Sequence, residues 1–515
     1  MSLELKKANG GDFYVYYPDI AMHSPYRRYS IIIIREDDTA QSLETLLEQW
    51  KLSEFAVKES CLLAFPNLTK ACGDADTDAI VSCLKDIHNK MCEPDDYVFE
   101  TDQNGIPLLK CMLNRWHLMN DTRYYVGIGK GAGLACEMAL AAPTDVAAVA
   151  CIGADESKLP LEKLKEIGMP YQLLSGTDFP FADFYQDFFK KIRRLNTGKY
   201  GDCAPRIDFD AVKFDSYIED TSLGDQNGMP HTWFVHKPEK AGKLPVMFFF
   251  HGGSDNPMEA AEMSKFHELG EKEGFLTVYP WGSDTASWNC NYAPEGYDDV
   301  AYIHALIDWI KAHYPVDESR IYLSGFSNGA AMAQIYAMEY PEQIAGVCHI
   351  DSNWPGHRLG LAAVDPDDVI AFQKGKKRKE VFDYRMPVWY TYGTREPSYP
   401  VYRGCSQQLQ YDFWKQFNNI PIVETPEREN PHPCGCGVPG EVCETLIPST
   451  QYPEHVYQVN RFYSGDEEHV NLYNYVMMHD KGHEVATPDP VLAWQYVKQF
   501  KRDKDKTIRK VEQES

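Results

Sequence analysis

Residues 317–332 read DESRIYLSGFSNGAAM, and this stretch determines which fold the chain can adopt. The run at 320–324 predicts a buried strand, and the small residues after Gly329 predict a helix. Between them, residues 325–329 match the pattern G-x-S-x-G, in which two glycines permit a turn too tight for side chains. Such a turn raises the hydroxyl of Ser327 above the sheet, at the start of the helix. The stretch therefore predicts a strand–turn–helix unit that presents a serine nucleophile.

The same order of landmarks occurs twice along the chain, in which short β-rich runs alternate with longer helical stretches. The Gly-rich turns begin at Gly127 and Gly325, 198 residues apart, and later Met-Pro strands begin at Met169 and Met386, 217 residues apart. Such alternation is typical of α/β domains with a largely parallel sheet. We therefore predict two tandem α/β domains, each a mostly parallel sheet flanked by helices.

A polar stretch at 193–204 is the predicted boundary between the two copies. The domains are then residues 1–200 and residues 201–515. The second domain carries a long insertion at about 397–478 that is rich in proline, glycine, cysteine and aromatic residues. Because this composition favours turns, we expect an elaborated loop over one face of the domain.

The composition indicates a globular protein and excludes some classes of binding partner. The 515 residues are 43% hydrophobic and 25% charged, which is typical of a globular protein. A formal net charge of -25 repels phosphate backbones, so we expect no nucleic-acid partner. Apolar runs stay far below the roughly 20 residues that span a bilayer, so we expect no membrane partner. The first residues lack an apolar signal core, which predicts a cytoplasmic protein; a secreted one is the alternative if a signal peptide was removed.

A serine nucleophile needs an imidazole base, and the base needs a carboxylate that fixes its tautomer. The expected chain order is serine, acid, histidine. Glu396 follows the predicted strand at 388–392 on the same sheet edge as the elbow, and Asp351, which ends an earlier strand, is the alternative acid. His483 follows a glycine and precedes a closing helix, so it is favoured as the base over His479.

The oxyanion of an acyl-transfer reaction needs backbone N–H donors near the nucleophile. The residue after the serine supplies one donor, and a glycine turn after an earlier apolar strand supplies the other. The predicted oxyanion-hole residues are Asn328, Gly252, Gly253 and Ser254.

Three tryptophans, Trp281, Trp288 and Trp354, follow strands of the second domain in loops that border the predicted cleft. Indole rings at such positions stack on a sugar or aryl ring of a substrate, or they pack the rim of the cleft. Both interpretations stay open.

The insertion contains a group of cysteines, Cys405, Cys434, Cys436 and Cys443, together with His432. Structural zinc needs four ligands at paired spacing, and C-x-C is not the usual spacing. We favour free thiols in a loop shaped by proline and glycine, with a disulfide or a metal-bound state as alternatives.

The elbow stretch at 317–332, the turn His251–Gly253 and the pair Gly482–His483 carry a resemblance to a known family. Residues 205–515 resemble the α/β-hydrolases of the polyhydroxybutyrate-depolymerase-like and feruloyl-esterase-like group. The resemblance implies a serine carboxylic-ester hydrolase that needs no metal or organic cofactor. It also implies small-molecule ester substrates, either feruloyl and acetyl sugar esters or short hydroxyalkanoate esters.

Mapped on this chain, the resemblance implies the triad Ser327, Glu396 and His483. The chain departs from the family pattern because the turn that usually supplies aspartate carries glutamate at position 396. The long insertion is a second departure, and it bears on which substrates the site accepts.

The first copy lacks the groups that this chemistry requires. Gly129 aligns with Ser327, the segment 35–37 carries no oxyanion glycines, and Asp178 has no histidine partner after it. The stretch 127–133 also fails the two nucleotide-binding glycine patterns. We therefore predict a degenerate, noncatalytic first domain that packs on the second, covers its cleft or supports homo-oligomers.

Two other functions stay open at this point. A serine peptidase needs the same groups, and a noncatalytic binding or scaffold protein is consistent with the degenerate first copy. Ester hydrolysis by the wild-type protein separates these alternatives.

Overall fold

The computed structural model describes most of the chain. The described residues are 2–8, 11–17, 28–36, 39–68, 77–92, 98–101, 107–111, 118–176, 180–218, 223, 231–253, 255–282, 287–290, 298–352, 384–397, 399–450 and 452–511. The chain separates into two compact units. The first unit comprises Met1–Val98 and Met112–Phe209, and the second comprises Phe99–Cys111 and Asp210–Ser515.

Eleven strands and six α-helices are described before residue 210. The strands are β1 (Ser2–Ala8), β2 (Gly11–Tyr17), β3 (Arg28–Ile34), β4 (Cys61–Pro66), β5 (Val98–Thr101), β6 (Pro107–Cys111), β7 (Leu118–Ile128), β8 (Ala148–Ile152), β9 (Tyr171–Leu174), β10 (Ile192–Leu195) and β11 (Asp202–Pro205). The helices are α1 (Ala40–Gln49), α2 (Leu52–Lys58), α3 (Thr77–Cys92), α4 (Gly131–Ala141), α5 (Leu161–Glu166) and α6 (Phe181–Asp187).

The first unit is built on a seven-stranded sheet in the order β1-β2-β4-β3-β7-β8-β9. The strands from β4 to β9 pair in parallel, and β1 and β2 add an antiparallel edge. The strands β10 and β11 form a separate antiparallel hairpin. The small residues of α4 let this helix lie against β7 and β8, and the apolar side chains of these elements form one core.

Twelve strands and six α-helices are described after residue 210. The strands are β12 (Asp215–Ile218), β13 (Thr232–His236), β14 (Leu244–Phe250), β15 (Leu276–Pro280), β16 (Val316–Phe326), β17 (Gly346–Ile350), β18 (Val388–Gly393), β19 (Val442–Leu446), β20 (Tyr457–Tyr463), β21 (Asn471–Met478), β22 (Phe500–Arg502) and β23 (Ile508–Lys510). The helices are α7 (Pro257–Ser264), α8 (Phe266–Glu273), α9 (Asp299–His313), α10 (Ser327–Glu339), α11 (Ser406–Phe417) and α12 (Asp489–Val497).

The second unit is built on a ten-stranded sheet in the order β12-β13-β15-β14-β16-β17-β18-β21-β20-β19. The strands from β15 to β21 pair in parallel, and antiparallel strands flank them on both sides. All seven residues of β14 are buried, as its continuous apolar run requires in the middle of an α/β sheet. The carboxyl ends of β14, β16, β17 and β18 therefore meet at one edge of the sheet.

The insertion at about 397–478 differs from the expected loop. It contains α11 and the strands β19, β20 and β21, and β21 pairs in parallel with β18. The alternation of buried residues in β20, with Tyr457 and Val459 inside and Gln458 outside, is the period-two pattern of a half-buried strand. The proline- and glycine-rich composition of the segment concealed this short pattern. The insertion thus extends the sheet by three strands.

The helices of the described segments are too short or too polar to cross a membrane.

Candidate active site

The predicted elbow lies between β16 and α10, and glycines make it possible. A Cβ atom on Gly325 would lie 2.6 Å from the carbonyl carbon of Gly329, and a Cβ on Gly329 would lie 2.2 Å from the carbonyl oxygen of His251. Ser327 takes a positive φ of 50°, a conformation that side chains disfavour. The tight turn thus places a strained serine at the N-terminus of α10, where the backbone N–H groups favour negative charge.

A carboxylate and an imidazole meet at the same sheet edge. The Nδ1 atom of His483 lies 2.7 Å from the Oε1 atom of Glu396. The Glu396 side chain is 8% exposed and the His483 side chain is 49% exposed, so the acid is buried behind a base that faces solvent. With Nδ1 held by the carboxylate, the tautomer of His483 leaves Nε2 as the atom that can accept a proton.

The imidazole of His483 also packs beside the elbow. Its ring centroid lies 4.7 Å from that of Phe326, the residue directly before Ser327. Burial alone would lower the pKa of His483, but the hydrogen bond to Glu396 and the charges of Asp351 and Glu396 raise it above its ordinary value. The site therefore stabilises the imidazolium that a base becomes after it accepts a proton.

The alternative acid, Asp351, has different partners. Its Oδ1 accepts a hydrogen bond from the N–H of Gly393 at 3.1 Å, and its Oδ2 accepts one from the N–H of Glu484 at 3.1 Å. The ammonium of Lys481 also donates to Oδ2. Asp351 has an oxygen within 4.8 Å of ligand atoms of Glu396 and His483, but its hydrogen bonds join the turns that carry these two residues.

Lys481 is a fully buried cation that the sequence reasoning missed. Its Nζ contacts Asp351 and lies 3.9 Å from Oδ2 of Asp489, whose other oxygen, Oδ1, accepts a hydrogen bond from the hydroxyl of Tyr457. Burial alone would lower the pKa of Lys481, but the two carboxylates raise it above its ordinary value. Burial raises the pKa of Asp351 to about 7, and the charge of Lys481 opposes this rise. Lys481 stands two residues before His483, and that adjacency was the one signal in the sequence.

The predicted oxyanion glycines lie beside the elbow. A Cβ atom on Gly253 would lie 3.8 Å from the Cβ of Asn328, and one on Gly252 would lie 3.0 Å from Cδ1 of Phe326. His251 anchors this turn, because its Nε2 accepts the N–H of Gly282 at 2.9 Å, which leaves Nδ1–H to donate to the carbonyl of Gly252 at 2.7 Å. Ser254, the fourth predicted residue, lies outside the described residues.

The side chain of Asn328 is engaged with the neighbouring loop. Its Oδ1 accepts the N–H of Trp288 at 2.6 Å, and its Nδ2 donates to the carbonyl of the same residue at 3.3 Å. This double contact fixes the loop after β15 against the elbow helix. The backbone N–H of Asn328, rather than its side chain, is the group that can reach an oxyanion.

The tryptophans predicted at the cleft are buried. Trp281 and Trp288 are each 2% exposed. The indole N–H of Trp288 donates to the carbonyl of His251 at 3.0 Å, and that of Trp281 donates to the carbonyl of Asp255 at 3.2 Å. Their ring faces are covered by protein, so the geometry favours the packing role over stacking on a substrate. Trp354 lies outside the described residues.

The cysteines of the insertion are thiols in this structure. Cys405, Cys434, Cys436 and Cys443 all have free sulfhydryl groups. Within the described residues, their sulfurs do not join a cluster of three metal-ligating atoms.

Residues 233–366 match the family described as Esterase PHB depolymerase. The resemblance predicted from the elbow is thereby confirmed for this part of the second unit. The matched segment includes Ser327, Asn328 and the turn after β14, and it ends before Glu396 and His483.

Curated relatives are esterases and a depolymerase. The chain is 27% identical over 215 residues to a bifunctional acetylxylan esterase/xylanase of Neocallimastix patriciarum. The aligned segment covers 40% of this chain and 28% of that protein. It is 24% identical over 159 residues to feruloyl esterase B of Talaromyces funiculosus, 29% of this chain and 44% of that protein. Poly(3-hydroxyalkanoate) depolymerase C of Paucimonas lemoignei is 30% identical over 125 residues, 23% of this chain and 30% of that protein. The chain thus spans less than half the length of each of these relatives.

Among solved structures, an acetyl xylan esterase from Aspergillus awamori aligns with a TM-score of 0.39 and 16% identity, over 55% of this chain and 98% of that chain.

Proposed function

We propose that the second unit is a serine carboxylic-ester hydrolase. The observation that carries the proposal is the 2.7 Å contact between Glu396 and His483, at the sheet edge where Ser327 takes its positive φ. The esterase family match over residues 233–366 supports the same class of reaction. Nothing in this arrangement requires a metal or an organic cofactor.

Each group has one task in the proposed reaction. Nε2 of His483 accepts the proton of Ser327 as the hydroxyl oxygen attacks the ester carbonyl. The backbone N–H of Asn328 and those of the turn at 252–254 bind the oxyanion, and His483 then gives its proton to the leaving alcohol. Water, deprotonated by the same imidazole, hydrolyses the acyl-enzyme and restores the serine.

We propose Glu396 as the acid of the triad and Asp351 as a positioning residue. Glu396 contacts His483 directly, whereas Asp351 binds the N–H groups of Gly393 and Glu484. Gly393 begins the turn that carries the acid, and Glu484 adjoins the base. Asp351 and its buried partner Lys481 would therefore hold the two turns in register.

The proposed substrates are small carboxylic esters. The relatives are named as acetylxylan esterases, feruloyl esterases and a poly(3-hydroxyalkanoate) depolymerase. We propose feruloyl or acetyl sugar esters, or short hydroxyalkanoate esters, because all three types present an exposed acyl carbonyl to a serine nucleophile.

We further propose that the first unit is a degenerate, noncatalytic copy of the second. Both sheets begin with an antiparallel pair and continue through the same sequence of parallel strands. The pairing of β3 with β7 shifts register between Arg28 and Ser30, and the pairing of β14 with β16 shifts between Leu244 and Val246. Both shifts thus fall in the same place of equivalent strand pairs.

Each unit has an antiparallel hairpin near its C-terminal end, β10–β11 in the first and β22–β23 in the second, and two further contacts repeat at these closing hairpins. The hydroxyl of Tyr124 donates to the carbonyl of Ile192 at 2.6 Å, and that of Tyr322 donates to the carbonyl of Phe500 at 2.6 Å. Two residues later in each hairpin, an arginine binds the carbonyl just before the Met-Pro strand. These pairs are Arg194 with Gly168 at 2.9 Å and Arg502 with Arg385 at 2.8 Å. Shared chain order, register and closing contacts support descent from one duplicated domain.

Hydrolysis of p-nitrophenyl acetate tests the proposed reaction. We expect Ser327→Ala to lower kcat/KM by about 10³-fold or more, because the nucleophile is lost. Ser157→Ala removes an exposed serine of the first unit and is the matched control that should retain activity. Full activity in the Ser327 variant would refute the assignment. Cleavage of short peptides without ester hydrolysis would instead favour a peptidase, and neither activity would favour a binding or scaffold protein.

A further inference from the structure

The insertion contains two thiols in contact. The sulfur of Cys434 lies 3.2 Å from that of Cys436, and one glycine separates the two residues in the chain. A disulfide bond needs a separation of about 2.05 Å, so roughly 1 Å of movement would join them. Gly435 has a φ of 72°, in the left-handed region that glycine adopts easily, and this lets both side chains point the same way.

The two thiols have unequal surroundings. Cys434 is partly exposed, whereas Cys436 is fully buried, and its one thiol proton lies within reach of two acceptors, the carbonyl oxygen of Val438 at 2.7 Å and the sulfur of Cys434 at 3.2 Å. Contact with the Cys436 thiol lowers the pKa of Cys434 below its ordinary value, with help from His432 and against the opposing effect of burial. Burial raises the pKa of Cys436 above its ordinary value. An accessible sulfur of thiolate character beside a buried partner is the arrangement of an attacking and a resolving cysteine.

We propose that Cys434 and Cys436 form a reversible disulfide when the protein meets a peroxide. The thiolate of Cys434 attacks one peroxide oxygen, and the O–O bond breaks to give a sulfenic acid and, with one proton, water. The sulfur of Cys436 then attacks that of Cys434, the S–O bond breaks, and hydroxide leaves with the proton of the Cys436 thiol as a second water. Two electrons pass from the thiols to the peroxide in all, and a dithiol reductant reverses the change.

The loop that carries Cys434 and Cys436 is hydrogen-bonded to the segment that follows Glu396, the proposed acid. The N–H of Val401 donates to the carbonyl of Gly435 at 2.8 Å, and a Cβ atom on Gly435 would lie 2.6 Å from the hydroxyl oxygen of Tyr399. The N–H of Tyr399 donates in turn to the carbonyl of Glu396 at 3.0 Å. Closure of the disulfide rotates the peptide groups of Gly435, so we expect the change to reach Glu396 through Tyr399. This second part rests on the proposed esterase function.

Mass spectrometry of the full chain tests the disulfide. After hydrogen peroxide, denaturation and iodoacetamide, cleavage after glutamate releases residues 430–441, which contain Cys434 and Cys436 and no other cysteine. We expect this peptide to have lost two hydrogens and to carry no alkyl group, and to gain two alkyl groups when dithiothreitol precedes the alkylation. Two alkylated thiols after peroxide, or a link to Cys405 or Cys443, would overturn the proposal.

Two variants sharpen the result. Cys436→Ser should stop at a sulfenic acid on Cys434 that dimedone traps, because the resolving thiol is gone. Cys443→Ser is the control, since it removes an exposed thiol whose sulfur donates to Asn460 and should leave the intrapeptide disulfide unchanged. If the disulfide within 430–441 did not form in the Cys443→Ser variant, Cys443 would have to take part in the reaction, and the assignment to Cys434 and Cys436 would be contradicted.

Ester hydrolysis by the peroxide-treated protein tests the link to Glu396. We expect kcat/KM to fall by about 10-fold in the wild type, to recover with dithiothreitol and to stay constant in the Cys436→Ser variant. A disulfide without a change in activity would refute the link. Absence of hydrolysis before oxidation would refute the esterase proposal, and the mass spectrum would still decide the disulfide.

Discussion

The turns at 127–131 and 325–329 each place a residue of positive φ between a strand and a helix. In the first unit this residue is Gly129, at a φ of 57°, and in the second it is Ser327, at a φ of 50°. A Cβ atom on Gly129 would lie 2.6 Å from Oε2 of Glu36, so the first turn has no room for the side chain that the second turn carries. The backbone path is shared, and the side chains above it are not.

This difference separates what the fold requires from what the chemistry requires. The fold needs two glycines in each turn, because the start of the helix lies against backbone atoms: a Cβ on Gly127 would lie 2.3 Å from the Cα of Ala132 in the helix, and one on Gly131 would lie 2.5 Å from the carbonyl oxygen of Ile34 in the neighbouring strand β3. The fold does not need a serine between the glycines. A non-glycine residue of positive φ costs about 1 kcal/mol or more, and such strain persists where function favours it. In the first unit, the carboxylate of Glu36, which pairs with Nζ of Lys130 at 3.0 Å, lies over Gly129 where a side chain would otherwise project.

The most direct test of this difference is the variant Ser327→Gly, which gives the second turn the glycine that the first turn has at position 129. We expect kcat/KM for p-nitrophenyl acetate to fall by about 10³-fold or more, while the free energy of unfolding rises by up to about 1 kcal/mol because the strain at φ is relieved. Steady-state kinetics and urea unfolding check both changes. Retained hydrolysis would show that Ser327 is not the nucleophile.

Glu396→Gln tests the acid, which has no described counterpart in the first unit. Glutamine keeps the shape but cannot hold the tautomer or balance the imidazolium charge, so we expect kcat/KM to fall by about 10²- to 10⁴-fold. The control is Glu424→Gln, a change at a glutamate whose side chain is 80% exposed and paired with Arg403. An equal loss in both variants would contradict the assignment of Glu396.

Asp351→Asn distinguishes a positioning residue from a catalytic one. We expect kcat/KM to fall by about 10-fold, because the turns of Glu396 and His483 lose a common charged acceptor. Asp489→Asn is the control, since it also faces Lys481 but accepts the N–H of Ala486 rather than those of Gly393 and Glu484. Both variants should lose stability by about 3 kcal/mol, as a buried cation loses part of its balance. Kinetic loss in the control equal to that of Asp351→Asn would refute the positioning role.

The pH profile of hydrolysis reports on the imidazole. The base acts when neutral, so kcat/KM should rise with pH and level off above the pKa of His483, which Glu396 and Asp351 raise above its ordinary value. In Glu396→Gln one source of the raised pKa is gone, and the midpoint of the rise should move to lower pH. An unchanged midpoint in this variant would show that another group controls the profile.

The smallest effect is expected from Gly129→Ser, which puts the serine of the second turn into the first. We expect a loss of about 1–2 kcal/mol in stability, from the positive φ and the contact with Glu36, and no gain in hydrolysis when Ser327 is also changed to alanine. Gly133→Ser is the matched control, because a Cβ there meets no atom within 4 Å. Hydrolysis by the double variant would show that the first unit keeps more of a site than its described residues indicate.

Local patterns predicted the parts of the site that depend on neighbouring residues. The glycine spacing at 325–329 predicted the turn, and chain order together with the glycine before His483 predicted the pair of Glu396 and His483, which lie in hydrogen-bond contact. The role of each residue stays a prediction. Such features follow from short stretches of chain, because a tight turn and a strand end are set by local geometry.

Features that depend on distant contacts were missed or wrong. Nothing near Lys481 indicates that Asp351, 130 residues earlier, balances its charge in the core. The segment at 397–478 was expected as a loop, because its proline- and glycine-rich composition concealed the short strand pattern and nothing nearby in the sequence indicates that β21 pairs with β18. For Trp281 and Trp288 the sequence left rim packing and substrate stacking both open, and their indole contacts with carbonyl groups of other segments favour packing.

In the second unit, three more strands follow β18 in the sheet, whereas the described sheet of the first unit ends at β9. This difference matters for any attempt to produce the first unit alone. Among the described strands of that unit, β9 ends the sheet with a single neighbour, β8, and its four residues are only partly buried. A terminal strand offers its open N–H and C=O groups to other chains and is a route to aggregation. The four-residue length of β9 limits this hazard, because a short edge gives an incoming strand few hydrogen bonds. Lengthening β9 or replacing its neighbours with β-branched residues would increase association between molecules before it changed the fold.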